Sequence, residues 1–433
     1  MMRDFLNELD KAGELAHVKR EVSKVHEVAA VASRLDGRAI LFEMVKQTKE
    51  YKVVAGLCGS RTILARGLEL KEDQLLPKIL DAIENPKPFK TVKVASCQEV
   101  VEEGVDLQRI PILTHCEKDG GPYVTAGIVV VRDKELGFNA SYHRLMLLGR
   151  NRVAARILPR HLDEFIKRGN RNIGIAIGNH PAFLFASAVS CELGKSELEI
   201  ANALRETSYV KCLTNDSLVP ADCELVLEGV ITDELVDEGP FPDIVGSYDI
   251  VRKQRIVEIT RVTHRENPVY QAILPGGTEH RFLMGTPREA TMFREISKAC
   301  ECLDVRLTPG GSSWLHGVVK IRKRKEEDAA NALEAAFRGH PSLKHAVVVD
   351  EDIDIEDPNS VEWAIATRVQ SDRDLVVKPG EYGSSLDPSA DQVTRKTSKV
   401  SLDATTPLGA ERDPFLKARI PMSDEIRLED YVG

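Results

Sequence analysis

Phe5, Leu6 and Leu9 recur at helical spacing and predict a helix over residues 2–12, and residues 25–35 repeat the pattern. Residues 39–42 and 51–55 are short apolar runs of strand type, so the first hundred residues predict an α/β module. Prolines and charges at Glu84-Asn85-Pro86-Lys87-Pro88 interrupt the periodicity and mark a loop or boundary. From Pro111 to about Pro268 the texture turns to β-branched runs, predicting strands over 124–131, 173–177, 182–189, 225–231 and 256–262. Helices are predicted between them at 160–168 and 196–205, the latter with Leu198, Ala201 and Leu204 on one face. A barrel or sheet with inserted helices fits this segment. After Pro275-Gly276-Gly277 a helix near 287–302 precedes strand, helix and strand at 318–321, 326–337 and 346–349, the order of a βαβ unit. The pattern as a whole predicts a mixed α/β (α+β) chain divided at 1–110, 111–275 and 276–433.

Charge narrows the class. With 59 Lys and Arg against 68 Asp and Glu the net charge is -9, which disfavours a duplex-binding surface and argues against nucleic acid as a partner. No apolar run approaches membrane-spanning length and the first residues lack a secretory h-region, so the expectation is a cytoplasmic protein without a membrane partner. The eight cysteines form no C-x-x-C pair, so they are expected to be reduced and mostly buried.

Common phosphate cradles and hydrolase signatures, G-x-G-x-x-G, G-x-x-x-x-G-K-[ST], G-x-S-x-G and H-E-x-x-H, are missing. What stands out instead is a set of polar residues inside apolar segments. In Asn139-Ala140-Ser141-Tyr142-His143-Arg144 the arginine can clamp a carboxylate and the Asn139 amide oxygen can serve a hard metal ion. By itself the hexapeptide reads as an exposed loop with a structural arginine. His161 sits at a predicted helix start, where a lone histidine is ordinarily a surface or capping residue. Glu197 follows the good N-cap Ser196, so its default role is to complement the helix dipole. In Glu238-Gly239-Pro240-Phe241-Pro242-Asp243 two prolines and a glycine forbid a helix and can aim both acids at one pocket; a plain turn fits equally well.

Together these segments resemble the UbiD family of reversible decarboxylases, which use prenylated FMN. The matching stretches are 121–125, 139–144, Ser196-Glu197 with the helix after it, 210–216, 219–221, 228–229, 238–243, 348–350 with 363–368, and 385–389. The likeness spans nearly the whole chain. It implies that Asn139, His161 and Glu197 hold a divalent metal, Mn²⁺ or Mg²⁺, that bridges protein and flavin phosphate. Ser141, Tyr142, His143, Arg144 and Arg160 would line the same cofactor, and Lys399 would reach toward it, with an ordinary surface lysine as the alternative. A potassium ion is usual in relatives, but residues 186–191 match the family pattern poorly and no potassium ligand is assigned. Arg144, Glu238 and Asp243 correspond to the family's catalytic Glu-Arg-Glu/Asp set. The distal acid here is aspartate, one methylene shorter than the glutamate of some members, which leaves the proton donor open between Glu238 and Asp243.

The resemblance also implies an N-terminal α/β module, a central split β-barrel of flavin-reductase type and a C-terminal α/β domain that mediates self-association into a homodimer or homohexamer. A flavin prenyltransferase would supply the cofactor. The substrate would be a small unsaturated carboxylic acid. The compact length and Tyr142-His143-Arg144-Leu145-Met146 resemble the archaeal group that converts trans-anhydromevalonate 5-phosphate to isopentenyl phosphate in the mevalonate pathway. A decarboxylase of 4-hydroxy-3-polyprenylbenzoate or another aromatic acid is the alternative substrate class. A non-catalytic prenylated-flavin-binding protein is the alternative of another kind, and it would have no use for Glu238 and Asp243. Candidate groups for a substrate phosphate are Arg150, Arg152, His280 and Arg281, with flavin lining or surface pairing as the alternative for each.

Overall fold

The computed structural model describes residues 1–431 apart from Lys49, Arg412, Arg419, Ser423 and Asp424. Among the described residues no helix is long and apolar enough to cross a membrane. The first helix, Met2–Lys11, buries Met2, Phe5, Leu6 and Leu9, the face its spacing predicted. Strands Leu15–Val18, Ala39–Phe42 and Lys52–Ala55 form a four-stranded sheet completed by Val269–Gln271, which lies parallel to Lys52–Ala55. A strand from far down the chain thus finishes the N-terminal sheet. Phe5, Phe183, Leu198 and Phe282 accordingly share one core.

The central segment is a nine-stranded sheet, and every ladder in it is antiparallel. Its long strands, Leu225–Glu238 and Arg252–His264, pair in the middle, and Tyr123–Val124 and Gly137–Tyr142 stand at opposite ends. Strand alternation separates two cores: Val129 and Val131 enter one, Ile128 and Val130 the other. No ladder joins the end strands, yet only His143 and Arg144 separate Gly137–Tyr142 from Leu145–Leu147 near the opposite end. Three chain steps span at most roughly 11 Å, so the sheet must curl until its ends nearly meet. Thr125–Gly127 crosses the same seam between Tyr123–Val124 and Ile128–Asp133. An open sheet rolled this far is the split β-barrel that the resemblance implies.

Three predicted elements differ, the first being the run at 124–131, which Thr125–Gly127 breaks into the strands Tyr123–Val124 and Ile128–Asp133. The apolar run at 182–189 is a helix, Pro181–Ala186, whose six residues are all buried; an element buried all round shows no periodicity to distinguish it from a strand. It starts because Pro181 takes the first position and the His180 ring accepts from Ala182 N. The helix predicted near 287 begins at Thr278 and runs to Ser297 with Pro287 inside it. Its first turn is capped by a distant residue: Thr278 N donates to both Asp36 oxygens at 3.0 Å, and Thr278 Oγ1 to Oδ2 at 2.8 Å.

The last domain is a five-stranded sheet in which His316–Ile321, His345–Val349 and Lys396–Ala404 run parallel. Asp328–Gly339 makes the predicted βαβ crossover, and Val319 and Val348 pack with it while Val318, Val347 and Val349 face Pro358–Arg368.

Candidate active site

The barrel seam places Arg144. Its Nε donates to Glu238 Oε1 at 2.8 Å and its Nη2 to Oε2 at 3.0 Å, a bidentate pair around a carboxylate that is completely buried. Nη2 also donates to Asp249 Oδ2 at 3.2 Å, and Nη1 stands 4.0 Å from Asp243 Oδ2. Glu238 ends the strand Leu225–Glu238, and Asp243 follows Phe241–Pro242, which pairs back on Tyr248–Asp249. The loop between them presses on Gly120: Gly120 N donates to Pro240 O at 2.9 Å, and a Cβ there would lie 2.3 Å from Gly239 O. Tyr123 Oη donates to Glu238 Oε1 at 3.0 Å, and the Phe241 ring lies 5.6 Å beneath the guanidinium. Helix Thr278–Ser297 brings His280 and Arg281 to the same loop. His280 Nδ1 accepts from Gly276 N at 3.0 Å, so its ring carries the proton on Nε2; burial lowers its pKa, against the pull of Asp243. Arg281 Nε donates to Ile244 O at 3.3 Å.

A second cluster lies on the other side of the seam. Strand Gly137–Tyr142 and its continuation put Asn139, Ser141 and His143 at alternate positions, hence on one face. Glu197, first residue of helix Glu197–Leu204, is only 2% exposed, yet it has no cationic partner among the described residues. Its carboxylate accepts from Ala140 N at 2.9 Å, from Asn139 Nδ2 at 3.2 Å to each oxygen and from Cys191 Sγ at 3.1 Å. Burial pushes its pKa up to about 7. One ligand atom each from His161, Cys191 and Glu197 lies within 4.8 Å of the others. Ser141 Oγ is 3.2 Å from Asn139 Oδ1 and 3.1 Å from His143 Nε2, while His143 Nδ1 donates to Arg156 O at 2.9 Å. Burial lowers the His143 pKa to about 4, so the ring is neutral.

Comparison with known proteins bears on both clusters. Residues 6–83, 90–278 and 281–404 match the N-terminal, Rift-related and C-terminal domains of 3-octaprenyl-4-hydroxybenzoate carboxy-lyase, the UbiD domains. The chain belongs to the UbiD family. It is 43% identical over 427 residues to the anhydromevalonate phosphate decarboxylase of Methanosarcina mazei, covering 97% of this chain and 99% of that one. The enzyme of that name from Methanocaldococcus jannaschii is 40% identical, with 97% and 100% covered. The UbiD-class enzyme HmfF from Pelotomaculum thermopropionicum, solved with FMN, superposes with a TM-score of 0.95 at 41% identity over 100% of both chains. An evolved dimeric form of HmfF with prenylated FMN gives 0.91 at 39% identity, covering 100% of this chain and 99% of that one.

Not every predicted site residue of this UbiD chain joins the clusters. Arg150 is 73% exposed in its side chain and paired with Asp106, and Arg152 pairs with Glu234 and Glu258. Both occupy the far end of the hairpin from Leu145–Leu147 to Arg152–Ala155, roughly 13 Å or more along the strand from Arg144. Both are held there in ion pairs, apart from the two clusters. Lys399 Nζ donates to Pro341 O at 2.7 Å above the Phe337 ring and makes no hydrogen bond or ion pair with Asn139, His161 or Glu197. Arg160 is exposed at the N-cap of helix His161–Lys167, and the Tyr142 hydroxyl is buried without a hydrogen-bond partner. Sequence reasoning passed over Asp249, Cys191 and Arg288. Arg288 donates to Ser190 Oγ at 3.1 Å over the Trp314 ring and has no acidic partner among the described residues.

Proposed function

We propose that this chain removes CO₂ from trans-anhydromevalonate 5-phosphate to give isopentenyl phosphate, using prenylated FMN and a divalent metal ion. The observation that carries the reaction is the arginine flanked by acids in the barrel seam. Arg144 spends Nε and Nη2 on Glu238 and Asp249, which leaves Nη1 on the side of Asp243 for an incoming carboxylate. A protein that merely stored flavin would gain nothing from a second acid there.

Prenylated FMN, when bound, supplies the carbon that accepts the electron pair released as CO₂ departs. This chain's residues do the rest. Arg144 orients the substrate carboxylate and balances the buried Glu238. The departing CO₂ leaves a carbon that must gain one proton, and Glu238 or Asp243 delivers it. Asp243, with 25% of its side chain exposed, can be reloaded from solvent, whereas Glu238 is sealed behind Tyr123 and Arg144.

The second cluster fits a hard cation. Glu197 is a buried carboxylate lacking a positive charge, and the Asn139 amide nitrogen fills the place a cation would take. Exchanging the two ends of that amide turns Oδ1 toward the ion and lets Nδ2 donate to Ser141 Oγ. The Ser141 hydroxyl is then free to donate to His143 Nε2, so each group in the chain has a partner. Asn139, His161 and Glu197 would hold Mn²⁺ or Mg²⁺ there, and the ion would supply positive charge to balance the buried carboxylate. Arg281, which has no acidic partner among the described residues, also lines a cavity of about 200 Å³ with Ser60, Thr278 and Arg306, room for a phosphate group.

The substrate assignment rests on the near full-length similarity to the two archaeal enzymes named above. It is tested by giving the anaerobically reconstituted protein a panel of unsaturated and aromatic acids and measuring CO₂. Release from the phosphorylated acid alone is the expected result; release from aromatic acids alone assigns the chain to the other substrate class.

A further inference from the structure

We infer that Cys191 is a fourth protein ligand to the metal ion, a sulfur donor added to the Asn139, His161 and Glu197 set. This rests on the metal-site reading above and deepens it. The Cys191 Sγ is 3.1 Å from Glu197 Oε1, and the ligand atoms of His161, Cys191 and Glu197 lie mutually within 4.8 Å, close enough to converge on one ion with small side-chain adjustments. The backbone holds the thiol in place. Lys195 N donates to Glu192 O at 3.0 Å, and Gly194 at φ +91° turns the chain so that Cys191 returns to the start of its neighbouring helix. Cys191 Sγ also lies 3.4 Å from Lys195 O. Cys191 thus stands six residues before Glu197, on the segment that leads into the helix Glu197–Leu204.

Coordination releases the thiol proton to solvent and leaves a thiolate–metal bond with no change in oxidation state. A donor set of one sulfur, one imidazole and two oxygens favours Zn²⁺, Co²⁺ or Fe²⁺ over Mg²⁺ and Mn²⁺ more strongly than nitrogen and oxygen alone. The sulfur thus adds affinity for softer ions at a site whose imidazole and oxygen donors still accept Mn²⁺ or Mg²⁺.

The test is X-ray absorption on the full chain loaded with FMN and one equivalent of Zn²⁺, alongside Cys191→Ser and Glu197→Gln. The expected result is a sulfur scatterer at about 2.3 Å in the wild type that is lost in Cys191→Ser. In competition with Mn²⁺, the zinc share bound by Cys191→Ser should fall at least about tenfold. A wild-type shell of nitrogen and oxygen only, or a sulfur shell that persists in Cys191→Ser, overturns the cysteine assignment and leaves the metal site standing. Undiminished zinc in Glu197→Gln overturns the metal site itself, and the cysteine with it. Cys191→Ala, read in the same way, keeps the assignment testable if the serine variant fails to fold.

Discussion

Replacing Glu238 by glutamine removes one charge while keeping the shape. The amide oxygen can occupy the Oε1 position and keep the bonds from Arg144 Nε and Tyr123 Oη, but the amide nitrogen then faces Arg144 Nη2, donor against donor. One charge-assisted hydrogen bond is lost, at a cost of about 1.5–3 kcal/mol. Asp249, 3.2 Å from Nη2, still compensates the guanidinium, so the larger penalty of a stranded buried charge does not arise. Against a total stability of roughly 5–15 kcal/mol the variant should remain folded. Catalysis should suffer far more, because the group beside the reacting carboxylate no longer carries or passes a proton, a role worth about 10²–10⁴ in rate. The assay pairs CO₂ release with flavin absorbance and thermal unfolding of the same sample. Turnover within about tenfold of wild type, with flavin retained, would refute the role given to Glu238.

Other substitutions separate the parts. His161→Ala should purify with little flavin and no bound divalent metal, checked by absorbance and elemental analysis; unchanged content would remove His161 from the site. Arg281→Ala should raise KM for the phosphorylated acid by about 10- to 100-fold, the worth of one charge-assisted hydrogen bond, whereas Arg150→Ala, paired on the surface, should leave KM unchanged. Glu279, buried and accepting from Gly56 N and Cys58 N, has its pKa raised by burial to about 7. A raised carboxyl contributes stability that is complete below its unfolded value and lost as pH climbs through 7, roughly 3 kcal/mol in all. The deficit of Glu279→Gln relative to wild type, measured by chemical denaturation, should therefore shrink between pH 5 and pH 8; a constant deficit would contradict this.

Where local pattern decides an element, the sequence was legible. Residues 39–42 form the strand their apolar run predicted, and the βαβ order after residue 316 appears as expected. The helix at Thr278 was hidden because its cap comes from Asp36, far away in sequence, and Pro287 looked like a start. Pro181–Ala186 was misread because complete burial erases periodicity. For the site, the family resemblance named Asn139, His161, Glu197, Arg144, Glu238 and Asp243, and the fold brings these into two adjacent clusters joined by one strand. Spacing alone had left each with a bland alternative. Arg150 and Arg152 lie apart from Arg144 because a hairpin carries them away within a few residues. Cys191 and Asp249 had no local signal, since their partners arrive only through tertiary folding.

One active site in the barrel seam is proposed to exchange a carboxylate for a proton. Run in deuterium oxide with prenylated FMN bound, the wild type should convert trans-anhydromevalonate 5-phosphate to equal amounts of CO₂ and isopentenyl phosphate, with one deuterium on the carbon that lost the carboxylate. Failure to release CO₂ from this or any other acid, with cofactor and metal both in place, would contradict it.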